Sequence, residues 1–181
     1  MNPALKISPE LLLQAQGIRV LFLDVDGVLT DGGLYLTEHG ETIKRFHTLD
    51  GHGIKLLQRA GITPAVITGR DSLALRLRLE ALGVRHVRYA TEDKRPAAED
   101  ILQALALDWH QAAAMGDDWP DLAVMRRCAF ACASANAQAE VRARAHYVTG
   151  ARGGDGAVRE LCDLLLLASG QYGALLRDCL E

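Results

Sequence analysis

The chain has 181 residues, of which 49% are hydrophobic and 24% charged, with a formal net charge of −3. This length fits one domain with a full hydrophobic core, and the charge balance favours neither a nucleic acid nor a membrane surface as partner. The apolar runs are too short to span a bilayer and no export signal is visible, so we expect a cytoplasmic protein. The four cysteines form no CxxC pair and are predicted to be reduced thiols.

Strand and helix patterns alternate along the chain. A first short helix begins at Ser8-Pro9-Glu10 and ends at Gly17. Apolar runs predict buried strands at Ile18–Leu23, Thr63–Ile67, Ala112–Met115, Ala129–Ala133 and Tyr147–Val148. Helical patterns lie between and after them, at about 51–60, 71–82, 94–107, 119–127, 136–144 and 154–169. This alternation predicts an α/β fold, a Rossmann-like three-layer parallel sheet in a single domain over 1–181, with a C-terminal helix and tail at about 154–181.

The segment 32–46 departs from this rhythm. Its residues alternate in twos around a turn at Gly40, which predicts a β-hairpin inserted after the first strand. Only 36 residues separate Asp31 from Thr68 and 25 separate Thr68 from Lys94, so neither interval can hold a separate cap domain. A capless site needs either a large substrate or neighbouring subunits to cover it, and the hairpin would serve such an assembly. A surface hairpin without that role is the alternative.

The most informative motif lies where the first predicted strand ends. An apolar run leads into Asp24 and Asp26, and Gly27 follows. Strand side chains alternate faces, so two acids at this spacing point the same way at the carboxyl end of the strand, where open α/β sheets bind ligands. Like charges about 4 Å apart repel by roughly 4 kcal/mol at an effective dielectric of about 20, so the site needs positive charge. An acidic surface turn is the alternative.

Three later segments supply the groups that such a site needs. Thr68 follows the second core strand, where a hydroxyl and nearby N–H groups can hold a phosphoryl oxygen. Lys94 stands at the start of a helix, where the helix dipole disfavours a cation, which indicates another role. Asp117, Asp118 and Asp121 close a further strand with the hard oxygen ligands that suit Mg²⁺. Taken singly, these residues could equally be a turn-forming threonine, a solvated lysine and an acidic helix cap.

In this order the motifs resemble those of the haloacid dehalogenase-like (HAD) phosphohydrolase superfamily, from residue 18 to about 133. The resemblance implies that Asp24 is the nucleophile and a metal ligand. Asp26 would be the general acid/base, with its backbone carbonyl also reaching the Mg²⁺ ion. Thr68 and Lys94 would hold the phosphoryl group, and Asp117 would complete the metal ligands. Asp118 and Asp121 would support these ligands without binding the metal themselves. The implied aspartyl-phosphate splits one difficult step into two.

The rest of the chain resembles one capless branch, the 3-deoxy-D-manno-octulosonate 8-phosphate (KDO 8-phosphate) phosphatases of lipopolysaccharide synthesis. The hairpin, the segment 46–55 and the glycine-rich turn at 153–156 with its helix carry this resemblance. It implies a homotetramer in which a neighbour's tail approaches the active site, and a phosphorylated sugar acid as substrate. The implied substrate contacts are Asp26, His47, Thr48, Leu49, Asp50, Gly51, Lys55, Arg70, Arg78 and Lys94.

Three positions depart from the pattern of that family. Leu49 and Lys55 each replace an arginine, and Asp155 replaces the basic residue common in the Gly-Gly-x-Gly turn. These departures leave the phosphatase residues intact and bear only on the substrate, where Arg45 or Arg152 could compensate.

Three other functions fit parts of the sequence. A phosphatase of N-acylneuraminate 9-phosphate or its deaminated relative would share the fold and every catalytic residue. A signalling receiver domain also carries acids, a threonine and a lysine on a parallel sheet, but its phosphorylated aspartate follows a central strand, whereas Asp24 follows the first. An inactive regulatory or assembly module is disfavoured because all five of the main catalytic and metal-binding positions are intact.

Overall fold

The computed structural model describes residues 6–38 and 40–180. The predicted domain limits at 1 and 181, and His39 within the predicted hairpin, lie outside the described residues. The strands are β1 (Val20–Leu23), β2 (Tyr35–Thr37), β3 (Gly40–Ile43), β4 (Thr63–Ile67), β5 (His86–Arg88), β6 (Ala112–Gly116), β7 (Phe130–Ala133) and β8 (Tyr147–Val148). The helices are α1 (Pro9–Gln14), α2 (Thr48–Arg59), α3 (Leu73–Leu82), α4 (Lys94–Leu105), α5 (Leu122–Met125), α6 (Ala139–Arg142), α7 (Ala157–Ala168) and α8 (Tyr172–Asp178).

Six of the strands form one parallel sheet in the order β5-β4-β1-β6-β7-β8. The chain builds outward from β1 to β5 on one side and then from β6 to β8 on the other. The winding direction therefore reverses between β1 and β6, and ligands of such sheets bind at the carboxyl ends of the strands on either side of that reversal. Leu23 lies beside Val66 of β4 and Met115 of β6, so β1 ends one residue before each of its neighbours. The predicted parallel α/β fold is confirmed.

Both faces of the sheet are buried under helices. In β1, Leu21 and Leu23 pack into a core formed with α2, α3 and α7, whereas Val20 and Phe22 pack into a second core formed with α4 and α5. All four side chains are almost completely buried. A strand covered on both faces reads as a continuous apolar run, which explains why this strand was visible in the sequence.

The strands β2 and β3 form a separate two-stranded antiparallel ribbon. It occupies the segment that the alternating pattern predicted as a hairpin; that this hairpin is an insertion stays a prediction. Leu36 and Ile43 on the ribbon are 67% and 59% exposed. The ribbon therefore carries exposed apolar side chains.

Two predicted helices are shorter in the structure, and two elements were not located from the sequence. The segment 119–127 is a 3-10 turn over 119–121 followed by α5, and the segment 136–144 contains only the four residues of α6. The tight turn arises because Asp121 packs against Gly116, where a Cβ atom would lie 2.3 Å from the Cβ of Asp121. The missed elements are β5, whose three residues include only one apolar side chain, and α8. None of the described helices has the length and apolar character needed to cross a membrane.

Candidate active site

The carboxyl ends of three neighbouring strands form the floor of the site. Asp24 follows β1, Thr68 follows β4 and Asp117 follows β6. The N–H of Asp24 donates to the carbonyl of Met115 at 3.1 Å, which extends the pairing of β1 with β6 by one residue. Thr68 is buried, and its hydroxyl oxygen accepts the N–H of Arg70 at 3.3 Å. The sheet thus brings these three positions to one edge.

Lys94 binds two carboxylates at the start of α4. Its Nζ lies 2.6 Å from Oδ1 of Asp24 and 2.6 Å from Oδ1 of Asp121, and all three side chains are almost buried. Burial raises the pKa of Asp24 to about 6; the charge of Asp121 adds to this and Lys94 opposes it. Burial acts to lower the pKa of Lys94, but its two carboxylate partners outweigh burial and raise that pKa above its usual value. This pairing explains why a cation stands at the unfavourable end of a helix dipole.

Asp117 completes a cluster of three carboxylates. Ligand oxygens of Asp24, Asp117 and Asp121 all lie within 4.8 Å of one another. Burial raises the pKa of Asp117 to about 8, and three neighbouring carboxylates add to the effect. One ammonium faces three carboxylates, so the cluster carries an excess of negative charge that a divalent cation would neutralise. Every donor is a hard oxygen, so these residues fit Mg²⁺.

The two acids predicted to support the metal ligands are placed differently. Asp121 is buried, and its Oδ2 accepts the N–H of Asp117 at 3.0 Å and that of Asp118 at 3.2 Å. Asp121 therefore orients the loop that carries Asp117 while its other oxygen binds Lys94. Asp118 is exposed, and its Oδ1 accepts the N–H of Trp119 at the start of the 3-10 turn.

The turn after Asp24 is fixed by close packing at Gly27 and by hydrogen bonds to the carbonyl of Gly27. Gly27 has a φ of +90°, and a Cβ atom there would lie 2.1 Å from Oδ2 of Asp117, so only glycine fits. The carbonyl of Gly27 accepts hydrogen bonds from Ser134 Oγ at 3.0 Å and Asn136 Nδ2 at 3.1 Å. Asn136 Oδ1 in turn accepts the N–H of Gly153 at 2.6 Å. The glycine-rich turn, predicted as the start of a helix, does lead into α7 and also supports the turn after Asp24.

Asp26 lies between two cations at the rim of the site. Lys44 Nζ is 2.5 Å from Asp26 Oδ1, and Arg70 Nε is 3.7 Å from Asp26 Oδ2. The side chain of Lys44 is 1% exposed, whereas that of Arg70 is 50% exposed. Asp26 therefore has one buried and one solvated cationic neighbour.

Most of the other predicted substrate contacts lie at the start of α2. His47 caps this helix, and Leu49, Thr48 and Lys55 are exposed. Asp50 is buried, its Oδ1 accepts the N–H of Arg159 at 2.8 Å, and burial raises its pKa. Asp50 is thus tied to α7.

Arg78 reaches the same region from α3. Its Nη2 donates to the carbonyl of His47 at 3.2 Å, and it packs so closely on Gly51 that a Cβ there would lie 2.3 Å from Nη2. Among the described residues, Asp50 Oδ2 and Arg78 Nε are buried without a hydrogen-bond partner. The start of α2 and Arg78 thus form one packed unit.

Comparison with known proteins gives the family. Residues 89–161 match the model of the haloacid dehalogenase-like hydrolases. The KDO 8-phosphate phosphatase of Salmonella typhimurium is 42% identical over 165 residues, which cover 91% of this chain and 88% of that protein. The chain belongs to the KDO 8-phosphate phosphatase family. The haloacid dehalogenase-like resemblance of the sequence is thereby confirmed.

Solved structures of the family agree with the fold. The KDO 8-phosphate phosphatase of Yersinia pestis is 40% identical with a TM-score of 0.89, covering 92% of this chain and 90% of that one. The enzyme of Moraxella catarrhalis, solved with a magnesium ion, a phosphate ion and KDO, is 35% identical with a TM-score of 0.90, covering 93% and 97%. The shared architecture therefore extends over nearly the whole chain.

Family membership also decides against a receiver domain, but for a different reason than the sequence offered. The first strand of this chain is central in the sheet, with β4 on one side and β6 on the other. Chain order and position in the sheet are separate properties, so the argument from strand order was wrong. The match to phosphatases over most of the chain settles the point instead.

Three residues near the site were missed in the sequence. Ser134 and Asn136 follow the carboxyl end of β7, so the argument that selected Thr68 and Asp117 could have found them. Lys44 had no comparable signal, because one lysine in an alternating ribbon looks like any solvated lysine. Only the packing of the ribbon reveals that its side chain is buried.

Proposed function

We propose that this chain removes the phosphate from KDO 8-phosphate, yielding KDO and inorganic phosphate for lipopolysaccharide synthesis. The observation that carries the proposal is the 42% identity to a KDO 8-phosphate phosphatase over almost the full chain. The carboxylate cluster of Asp24, Asp117 and Asp121, with Lys94 paired to Asp24, agrees with it. A relative solved with phosphate and KDO supports the same substrate class.

The reaction would begin with Asp24 as nucleophile. Its carboxylate attacks phosphorus while the bond to the sugar oxygen breaks, and Asp26 gives its proton to that oxygen. Water then attacks the aspartyl-phosphate, Asp26 takes a proton from it, and phosphate leaves as Asp24 is regenerated. Lys94 neutralises charge beside Asp24, and Thr68 offers a buried hydroxyl at the same sheet edge. Protonating a leaving oxygen is typically worth about 10²–10⁴-fold in rate.

The metal of this reaction would be Mg²⁺. Asp24 and Asp117 would hold it, with the backbone carbonyl of Asp26, and Asp121 lies close enough to orient or share in the site. When bound, the ion supplies positive charge that offsets the carboxylates and the phosphoryl oxygens. The carboxylate cluster and the magnesium-bound relative support this assignment.

The substrate test is turnover by the purified enzyme with Mg²⁺. The kcat/KM for KDO 8-phosphate should exceed the values for N-acetylneuraminate 9-phosphate, its deaminated analogue and simple sugar phosphates. Two departures from the family pattern bear most on which substrate is preferred. Leu49 is exposed, and Asp155 forms an ion pair with Arg45 at 2.6 Å. A preference for a nine-carbon acid sugar would leave the phosphatase chemistry standing and overturn the pathway.

The assembly would be a homotetramer in which neighbouring subunits cover the open site. The ribbon presents uncovered apolar side chains, namely Leu34, Tyr35, Leu36 and Ile43. Light scattering should show four chains, and Leu36→Glu should dissociate them. Leu13→Glu is the matched control, because Leu13 is about equally exposed, at 65%, but belongs to α1 and not to the ribbon. A monomer with full activity would contradict this assembly.

A further inference from the structure

The side chain of Lys44 is buried at the end of a ribbon whose apolar side chains are exposed. It follows directly after β3, and its side chain is 1% exposed, whereas the preceding Ile43 is 59% exposed. A lysine is almost never fully buried unless its ammonium group is paired. The usual distribution of apolar and charged side chains is therefore reversed at this end of the ribbon.

One partner of Lys44 is Asp26, the proposed proton donor. Its Nζ lies 2.5 Å from Asp26 Oδ1, a charge-assisted hydrogen bond that joins the ribbon to the turn after β1. The second oxygen, Oδ2, faces Arg70 at 3.7 Å, beyond hydrogen-bond range. Lys44 thus occupies one carboxylate oxygen and leaves the other available to carry a proton.

We propose that Lys44 is a positioning residue that fixes the Asp26 carboxylate so that Oδ2 faces the leaving oxygen. The proposal rests on the proposed function, in which Asp26 is the proton donor. As the bond between phosphorus and oxygen breaks, the proton on Oδ2 passes to the leaving oxygen, and the resulting carboxylate keeps its Oδ1 bond to the Lys44 ammonium. The ribbon therefore takes part in proton transfer as well as in assembly.

The neighbouring Arg45 shows what a purely anchoring residue looks like. Its side chain is 49% exposed and lies 2.6 Å from Asp155 and 3.6 Å from Asp31, so its ion pairs within the described residues do not involve Asp26. Both residues tie the same end of β3 to the body of the protein. Arg45 therefore serves as a matched control for loss of anchoring without loss of the Asp26 contact.

The test compares Lys44→Met with wild type on three substrates. Phenyl phosphate needs its leaving oxygen protonated more than p-nitrophenyl phosphate does, and neither carries a carboxylate; KDO 8-phosphate has both an alkoxide leaving group and a carboxylate. Since kcat/KM reports the steps up to the first cleavage, we expect it to fall at least about tenfold for phenyl phosphate and KDO 8-phosphate. For p-nitrophenyl phosphate it should stay within about threefold of wild type.

Three results would overturn the proposal. The first is an equal loss of kcat/KM on all three substrates, and the second is no loss on any of them. The third is a loss confined to KDO 8-phosphate, which would make Lys44 a contact of the substrate carboxylate. Arg45→Met should keep the values for phenyl phosphate and p-nitrophenyl phosphate, which carry no sugar acid, within about threefold; a leaving-group-dependent loss there would also count against Lys44. Lys44→Gln, which keeps one donor without the charge, replaces the methionine variant if that variant does not fold.

The variant Asp26→Asn separates this proposal from the proposed function. It should show a larger loss than Lys44→Met, with the same order of substrates. If Asp26→Asn is leaving-group dependent and Lys44→Met is not, the role of Lys44 alone is overturned. If Asp26→Asn shows no dependence, the proton-donor role of Asp26 is overturned, and the role of Lys44 with it.

Discussion

Asp24 and Asp26 are two residues apart, yet their surroundings differ in kind. Asp24 belongs to the sheet edge, where α4 and the β6 loop bring Lys94 and Asp121 against it in a largely buried cluster. Asp26 belongs to the rim, where its cations come from the ribbon and from the loop after β4. Elements fixed by the central sheet thus hold the groups proposed to attack phosphorus, whereas peripheral elements hold those proposed to move the proton.

The departures from the family pattern fall on the rim. Leu49 is 50% exposed at the start of α2, and Asp155 pairs with Arg45 of the ribbon. Substitution there changes solvated contacts, whereas substitution at the sheet edge removes one member of a buried, charge-paired cluster. The comparison therefore predicts large effects at the sheet edge and graded effects at the rim.

The largest expected effect is that of Asp24→Asn. Because the amide cannot serve as the nucleophile, kcat should fall at least about 10⁴-fold on every substrate. Circular dichroism should show an unchanged fold, since Lys94 keeps Asp121 as a partner. Near-normal turnover by this variant would end the covalent mechanism.

Removal of the metal should be almost as severe, and its effect on stability should depend on pH. Turnover should vanish with EDTA and return with Mg²⁺. The pKa of Asp117 is raised to about 8 in the folded protein from an ordinary value of 3.8, mainly by burial. Between these values the metal-free folded state holds a proton that the unfolded state has lost, so its stability falls as pH rises from about 4 to about 8.

Mg²⁺ favours the ionised carboxylates, so the rise in Tm on adding it should be larger at pH 8 than at pH 5.5. Differential scanning calorimetry at both pH values with Mg²⁺ or EDTA measures this, and Asp117→Asn should flatten the difference. A rise that is equal at the two pH values would argue against a metal site built on Asp117.

An intermediate effect is expected for Asp121→Asn. Asp121 accepts from Lys94 with one oxygen and from two backbone N–H groups with the other, and an amide cannot accept at both positions. Loss of such support typically lowers metal affinity or activity about 10–100-fold, measurable by titrating activity with Mg²⁺. The matched control Asp118→Asn removes an exposed carboxylate from the same loop and should change little; equal losses would show that the two acids act alike.

The smallest effect is expected for Leu49→Arg at the rim. The exposed position can accept an arginine without repacking. If it restores a charged contact with the substrate, KM for KDO 8-phosphate should fall about tenfold, the low end for a hydrogen bond to a charged group, with kcat unchanged. The KM for p-nitrophenyl phosphate should not move, and an equal change on both substrates would contradict a contact with the sugar acid.

Much of the fold and of the sheet-edge site could be predicted because both depend on local pattern. Apolar runs marked β1, β4 and β6, and acids or a threonine directly after them had to meet once the strands were parallel. The catalytic roles of Asp24, Asp26, Thr68, Lys94 and Asp117 stay predictions that the variants above test. The length of α5 was overestimated because the turn at Asp121 and Gly116 is set by a contact across the loop.

By itself the sequence determined the α/β class, the order of the strands along the chain and the cluster of oxygen ligands at one edge. These follow from period-two and period-3.6 patterns, which need no knowledge of distant contacts. Only the tertiary structure decided that β1 is central, that Lys94 is shared by Asp24 and Asp121, and that Lys44 is buried against Asp26. Those features join segments 18 or more residues apart. The sequence around a charged residue does not indicate which carboxylate will become its partner.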